Sequence, residues 1–446
     1  MDRYKAYFEG KKVTVMGLGL LGRGIGDAAA LAECGAEVIV TDMKSEAELA
    51  TSVAALKDFS NITFVLGEHR LEDFEKRDLV LVAAGVPMDS EYVAHARKAG
   101  VRLAQSAALF VELSKIPVIG VTGTRGKSTV THMIHHVLEV TTGEKVLLGG
   151  NVRGVSNLQL LKEVHEDSLA VMELDSWQLQ GFGWDEVSPQ IAVFTNLMPD
   201  HLNYYNGDMR AYFRDKANIF LYQEPSGTLI IIPELLPQIE AYAKEKGIEL
   251  QQEIILADSS VLPEDCLLAL PGEHNRLNAA LAHRALIATG LTDEEIFEGL
   301  ASFPGLPGRL QYLGSVEGVK IYNDNNATTP AATIAALRAL GEEEKKNVVL
   351  IMGGSDKGIE MDELGTEIAL RVKHTILLPG TGTDRIRASL PEAVSVTSMA
   401  EAVEKARERA ETGDTIVLSP AFASFGLFKN EYERGDAFVD IINTLL

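Results

Sequence analysis

The segment Gly120-Val-Thr-Gly-Thr-Arg-Gly-Lys-Ser-Thr-Val130 constrains this chain more than any other. An apolar, β-branched run, Ile116-Pro-Val-Ile119, precedes it, and a helix-like pattern, Thr129 to Leu138, follows. Strand, glycine loop, Lys-Ser and helix make a phosphate-binding layout. Gly123 and Gly126 let backbone N–H groups close on phosphates, and the helix N-terminus favours their negative charge. Lys127 reaches the terminal phosphates, Ser128 can hold Mg²⁺, and Thr124 and Thr129 complete the candidate ATP contacts. The spacing departs from the strict Walker pattern, which has Gly where Val121 stands. A glycine-rich turn with a surface lysine is the plain alternative.

A length of 446 residues predicts about three domains. Short β-rich runs alternate with helical patterns, which predicts α/β units with parallel sheets. The first block, 1–112, has strands at Lys12–Met16, Glu37–Thr41 and Asp78–Val82. The second, 113–305, carries the phosphate loop and strands at Leu169–Met172, Ile191–Phe194 and Thr228–Ile232. The third, 306–446, has strands at Asn347–Met352, Thr375–Leu378 and Thr415–Leu418. The expected architecture is a Rossmann-like first domain, a central P-loop-type ATPase domain with a mostly parallel sheet, and a Rossmann-like third domain. Glu342-Glu-Glu-Lys-Lys346 reads as a solvated surface turn. A net charge of −23 argues against nonspecific nucleic-acid binding and against docking on an anionic membrane. No apolar run approaches a membrane span, and Met1-Asp-Arg-Tyr-Lys-Ala-Tyr lacks a signal-peptide core. Cys34 and Cys266 form no framework or metal spacing and suit a reducing cytoplasm.

Other motifs surround the phosphate loop. Gly17-Leu-Gly-Leu-Leu-Gly22 follows a strand, and Asp42 ends the next one, where a ribose-binding acid belongs. The glycines admit a diphosphate, whether of NAD or of a nucleotide sugar. A ligand-free tight turn is the bland reading. Glu173 ends an apolar strand beside the phosphate loop, where Mg²⁺ needs an oxygen ligand. Asp200-His201 follows another strand at the same expected edge, while Asp175 and Asp200 could equally cap helices. Lys216, in Arg214-Asp-Lys-Ala-Asn218, reads by itself as an exposed helical lysine. Asn275 and Asn278 lie one turn apart on a helix pattern that opens at Glu273. Pro307-Gly-Arg309 and Asn323-Asp324 fall where the second block hands over to the third. Gly353-Gly-Ser-Asp-Lys-Gly358 and Ser419-Pro-Ala-Phe-Ala-Ser-Phe425 follow strands and could position a small anionic substrate.

Taken together, these motifs resemble the Mur ligases. The signature comprises Gly-Thr-Arg-Gly-Lys-Ser-Thr at 123–129, Glu-Leu-Asp-Ser-Trp-Gln-Leu at 173–179, Asn-Leu-Met-Pro-Asp-His-Leu at 196–202 and His-Asn-Arg-Leu-Asn at 274–278. Many members carry Asn or His where Arg125 stands. The first glycine motif and the tail Phe425-Gly-Leu-Phe-Lys-Asn-Glu-Tyr-Glu-Arg-Gly435 point to the branch that adds D-glutamate to UDP-N-acetylmuramoyl-L-alanine. The resemblance implies an ATP-dependent acid–amino-acid ligase of peptidoglycan synthesis. It also implies an acyl-phosphate intermediate, two Mg²⁺ sites and action as a cytoplasmic monomer.

Residue by residue, the resemblance implies that Leu20, Leu21 and Gly22 border the acceptor's diphosphate, with Asp42 and Gly85 near its uridine. Asn151 contacts the acceptor. Lys127 and Ser128 hold ATP phosphates, and Asn278, Arg309 and Asp324 hold the adenine nucleotide. Glu173 ligates one Mg²⁺; His201 ligates the other, aided by a carbamylated Lys216. Thr328, Lys357 and Ser424 receive the amino acid's carboxylates, with Phe425 lining that pocket. Two departures touch this pocket. Asn325-Asn326 stands where Ser-Lys is usual, and Glu431-Tyr432 stands where an aromatic-then-acid order is usual. Two rivals remain: a related amide ligase such as a poly-γ-glutamate synthase, and an NAD-binding dehydrogenase or redox sensor. The second leaves the phosphate loop, Glu173 and His201 unexplained.

Overall fold

A computed structural model describes residues 3–19, 22–264, 266 and 268–446. The backbone forms three sheets in chain order. The first contains β1 (Lys12–Met16), β2 (Glu37–Asp42), β3 (Ile62–Leu66), β4 (Leu79–Val82) and β5 (Arg102–Ala104), ordered β3-β2-β1-β4-β5. The second contains β6 (Val118–Thr122), β7 (Leu147–Gly150), β8 (Ala170–Glu173), β9 (Ile191–Phe194), β10 (Thr228–Ile231) and β11 (Glu253–Leu256), ordered β11-β10-β9-β6-β8-β7. The third contains β12 (Gln311–Val316), β13 (Val319–Asn323), β14 (Val348–Gly353), β15 (Val372–Leu378), β16 (Val394–Ser395) and β17 (Thr415–Leu418), ordered β12-β13-β17-β14-β15-β16. All pairings are parallel except β12 with β13.

Parallel strands covered by helices are apolar on both faces. Accordingly β4, β6, β9, β10, β14 and β17 are buried at every position. In each sheet the central strands feed loops at their C-terminal ends, where α/β folds gather ligands. The expected strands form with small shifts. The phosphate-loop strand runs over Val118–Thr122 rather than 116–119, because Pro117 donates no ladder hydrogen bond. The helix after it begins at Lys127 and continues to Thr142.

The contacts divide the chain into two compact units. One holds Met1–Glu264 with Asn278–Leu300; the other holds Asp265–Leu277 with Ala301–Leu446. The first and second sheets thus share a unit, and one apolar cluster runs from Val13 and Phe110 to Phe182 and Phe194. The expected division at 112/113 falls inside the helix Ser106–Ser114. Gly26 of the first block lies against Ser156 of the second, where an added Cβ would come within 2.4 Å of the Ser156 Cβ. Ser156 in turn donates to the buried Asp27 carboxylate at 2.6 Å.

Gly120, at the centre of β6, shows how closely the second sheet is packed. A Cβ there would sit 2.4 Å from Pro189 Cγ and 3.0 Å from Leu174 Cδ1. Gly120→Val gains at most about 1 kcal/mol of strand preference. Overpacking costs about 1–3 kcal/mol and wins. Urea unfolding should therefore show a lower midpoint for this variant; an unchanged or higher midpoint would contradict the packing.

Candidate active site

The phosphate loop leaves β6 at Thr122 and cannot accept side chains at its two glycines. Gly123 has φ +140°, and a Cβ there would collide with Thr195 Oγ1 at 1.9 Å. Gly126, at φ +83°, precedes the helix; a Cβ there would lie 2.3 Å from Asn278 Oδ1. Asn278, on the helix Glu273–Ile287, is therefore seated against the loop. The end of β9 anchors the loop. Thr124 N donates to Asn196 O at 2.9 Å, Arg125 N donates to Asn196 Oδ1 at 2.9 Å, and Met198 N donates to Thr124 Oγ1 at 2.9 Å. Lys127 opens the helix, and its Nζ donates to Gly123 O and Thr124 O, each at 3.1 Å. Ser128 and Thr129 follow in the first turn, with Thr129 buried.

Glu173 closes β8, in register with Val121 of β6. Its carboxylate is buried and accepts from Asn151 Nδ2 at 3.3 Å. Asn151 Oδ1 in turn accepts from the Arg23 guanidinium, so Arg23, Asn151 and Glu173 form a chain across the two sheets. Arg23 was not singled out from sequence; its signal was its place directly after the glycine turn. Asp175 takes the capping alternative, in a capping box with Gln178. Asp200 instead pairs with Arg125 at 2.8 Å. Burial raises the Asp200 pKa, but Arg125 and His201 more than offset this and hold it at about 2. His201 sits in a turn at φ +52°, its ring 4.6 Å from that of Trp177. Burial lowers its pKa, which favours the neutral imidazole, the form able to ligate a metal.

The reading of Lys216 as an exposed helical lysine is wrong. Lys216 is 1% exposed on the helix Met209–Ala217. Its Nζ donates to Gly123 O at 2.6 Å and to Thr122 Oγ1 at 3.4 Å, and it lies 4.8 Å from the Tyr212 ring centroid. Burial and then the nearby Lys127 charge push its pKa well below the usual lysine range, against Asp175, Asp200 and Glu173. The polar run around it hides this burial: Asp215 is also buried and accepts from Gln180 Nε2 at 2.7 Å.

The donors fit Mg²⁺. Glu173 offers a buried carboxylate and Ser128 a hydroxyl beside a phosphate loop, and Mg²⁺ characteristically takes few protein ligands together with phosphate oxygens. Among the described residues no group of three or more His, Cys, Asp or Glu side chains forms a closed metal cage.

Beside the first glycine turn lies a cavity of about 680 Å³, lined by Gly17, Gly19, Asp42, His69, Gly85 and Gln178 among others. Gly22, at φ +87°, precedes the helix Arg23–Glu33. Asp42 is committed to the backbone: its carboxylate accepts from Leu18 N at 2.9 Å, Gly19 N at 3.1 Å and Lys44 N at 2.9 Å. It shapes the turn that a diphosphate would approach. Leu20 and Leu21 lie outside the described residues.

In the second unit, the loops after β13, β14 and β17 meet at one sheet edge. Lys357 Nζ donates to Thr328 Oγ1 at 3.1 Å. Ser424 is buried, whereas Phe425 is 61% exposed, with its carbonyl accepting from Ser355 Oγ. Asp324 follows β13, beside Arg309 in charge contact. Burial pushes its carboxyl up to about 7, against the Ser419 hydroxyl, the Leu310 N–H and the Arg309 charge. A carboxyl that binds its proton more tightly when folded stabilises the native state below its ordinary value of 3.8. That contribution is lost as pH rises through about 7. Wild-type stability should therefore fall between these pH values relative to Asp324→Asn, as read by urea titrations across the window; parallel pH profiles would refute the assignment.

Two family models match the chain: the Mur ligase middle domain over residues 121–286, and the Mur ligase, glutamate ligase domain over residues 308–422. The UDP-N-acetylmuramoylalanine–D-glutamate ligase of Roseiflexus sp. is 35% identical, covering 98% of this chain and 99% of its own. The ligase of the same name from Borreliella burgdorferi is 34% identical, with 97% of each chain covered. Among solved structures, the UDP-N-acetylmuramate–alanine ligase of Thermotoga maritima shares the fold, with a TM-score of 0.61, 20% identity, and 97% of this chain and 99% of that one covered. With both family models matched, near full-length relatives and a phosphate loop built over a buried lysine, this chain belongs to the Mur ligase family.

Proposed function

We propose that this enzyme is an ATP-dependent ligase that joins D-glutamate to UDP-N-acetylmuramoyl-L-alanine in the cytoplasm, as a monomer. The relatives of that name, aligned over nearly the whole chain, support the reaction. The observation that carries the chemistry is Lys216, a buried amine under the phosphate loop and among three carboxylates. The neutral amine favoured there is the form that reacts with CO₂ to give a carbamate, which turns a repelling cation into an oxygen donor.

The acceptor's terminal carboxylate oxygen attacks the γ-phosphorus of ATP, the bond to the β,γ-bridging oxygen breaks, and ADP leaves. The amine of D-glutamate then attacks the acyl phosphate carbonyl. The amide forms, inorganic phosphate departs and the amine loses its proton. Lys127, with Ser128 and the backbone N–H groups of the helix N-terminus at Gly126–Thr129, holds the phosphates and offsets charge on the transferred group. Ser128 and Glu173 would hold one Mg²⁺, and His201 with carbamylated Lys216 a second, which would supply further charge neutralisation. Asn278, Arg309 and Asp324 serve the adenine nucleotide. The cavity beside Gly17–Gly22, with Asp42 and Gly85, takes the uridine diphosphate, and Asn151 takes the acceptor's far end. Thr328, Lys357, Ser424 and Phe425 receive the amino acid. The first-block cavity favours a nucleotide-linked acceptor over the poly-γ-glutamate alternative. The NAD reading leaves the phosphate loop and the buried Lys216 beneath it unexplained, which favours the ligase reading.

ADP release should require both the UDP-linked acceptor and D-glutamate; release driven by another amino acid alone would overturn the choice of D-glutamate. Lys127→Ala should lower this rate by about a hundredfold or more while the melting transition stays in place. A wild-type rate would sink the phosphate-loop assignment. Lys216→Ala should lose most activity and recover part of it with a short carboxylic acid in solution. Lys216→Arg, which keeps charge but forms no carbamate, should stay inactive; an active arginine variant would exclude the carbamate.

A further inference from the structure

Among the described residues of the second unit, Arg434 is the largest side chain fully withdrawn from solvent, at 1% exposed, and it forms no ion pair with a described carboxylate. Its guanidinium instead donates to three oxygens. Nε reaches Asn325 Oδ1 at 2.7 Å, Nη2 reaches Asn325 O at 3.0 Å and Nη1 reaches Phe422 O at 3.1 Å. Asn325 completes the contact by donating its Nδ2 to Glu431 O at 2.6 Å. Gly435 leaves the room needed, since a Cβ there would lie 2.9 Å from Asn325 Nδ2. The two departures in the sequence therefore meet at one contact, between the Asn325 side chain and the Glu431 carbonyl.

The position of this contact gives it a functional reading. Asn325 follows β13 and stands three residues before Thr328, whose hydroxyl accepts from Lys357. Phe422 follows β17 and stands two residues before Ser424. The two loops also touch directly, through Ala421 N and Ala327 O at 2.9 Å. Without Arg434, three buried acceptors and one loop-to-loop tie would be lost together.

Burying a guanidinium without an acid is costly, and a core of this kind gains more stability from apolar residues. Its retention is better explained by the geometry it imposes, because a planar fork fixes three acceptors in direction as well as distance. Burial brings its pKa down to about 10, with Glu431 acting the other way, so the fork remains charged at neutral pH.

We propose that Arg434, acting through Asn325, is a positioning residue that sets the spacing of the two loops receiving the incoming amino dicarboxylate, and so contributes to amino-acid selection. This rests on the reading of Thr328, Lys357 and Ser424 as the amino-acid pocket. Arg434 touches no substrate in this account; it acts through the Asn325 and Phe422 backbones.

Arg434→Lys keeps the charge but cannot span three acceptors. It should raise the KM for D-glutamate about tenfold, leaving kcat and the KM values for ATP and the acceptor within about twofold of wild type. Asn325→Ser should raise the same KM, and adding it to Arg434→Lys should cost no more than about another twofold, because the two residues act as one unit. Amide hydrogen exchange on the full-length enzyme should quicken in Arg434→Lys at 325–328 and at 422–425 together. An unchanged KM for D-glutamate, multiplicative effects in the double variant, or an equal rise in all three KM values with a lower melting temperature would each overturn the proposal. If the wild-type enzyme does not use D-glutamate, the reaction assigned above fails. The exchange comparison then decides this inference alone, and unaltered exchange in either loop rejects it.

Discussion

The amine of Lys216 beneath the phosphate loop is the contact on which the active site depends. A lysine 1% exposed, bonded to Gly123 O and flanked by Lys127, would be a severe cost if it were an isolated cation. Its surroundings resolve the cost in two directions. The Glu173, Asp175 and Asp200 carboxylates favour charge, while burial and Lys127 favour the neutral amine and win. The same contact supports the loop from below as the Asn196 hydrogen bonds support it from the side. The loop therefore reaches its phosphate-binding shape through fixed backbone groups. Catalysis by charge neutralisation needs that, since preorganised dipoles cost no reorganisation during transfer.

Arg23, after the first glycine turn, holds Asn151, and Asn151 holds Glu173. A nucleotide seated against the first sheet would thus border the same hydrogen-bonded chain that orients a candidate metal ligand on the second. One apolar cluster runs beneath both sheets that carry this chain. The expected break at 112/113 rests on sequence periodicity. Periodicity reports where one sheet ends; it does not report whether two sheets share a core, which here follows from close approaches such as Gly26 on Ser156.

Much of the architecture was legible because buried parallel strands are apolar runs followed by turn residues. That is why β1, β9 and β17 fall on the expected positions, and why Glu173 closes a strand paired with β6. The β12–β13 hairpin was not seen. Its turn is Glu317-Gly318, with both residues at positive φ, and glutamate is not a usual signal for such a turn. Burial of polar residues was the other blind spot. Lys216, Asp215 and Arg434 lie on helices with many charges, and only three-dimensional neighbours distinguish a buried charge from a solvated one. Asp42 shows the converse. Its place in sequence suggests a ligand contact, and its carboxylate also accepts from the backbone of the turn that it follows, a role that sequence alone does not show.

The charge distribution completes this picture. A chain of net charge −23 repels anionic substrates at long range. Over surface distances that field is screened within roughly 8–10 Å at physiological salt. Binding then depends on cations that the fold holds in defined contacts. Lys127 is folded onto the loop carbonyls, Arg125 is tied to Asp200, Lys357 is bonded to Thr328 and Arg434 is locked between two loops. Each of these cations is held by oxygens of its own neighbourhood, and two of the anchoring groups, the Gly123 carbonyl and Asp200, also lie beside Lys216 or His201. Within the first unit, moving Lys127 or Arg125 would therefore disturb groups that also border Lys216 or His201.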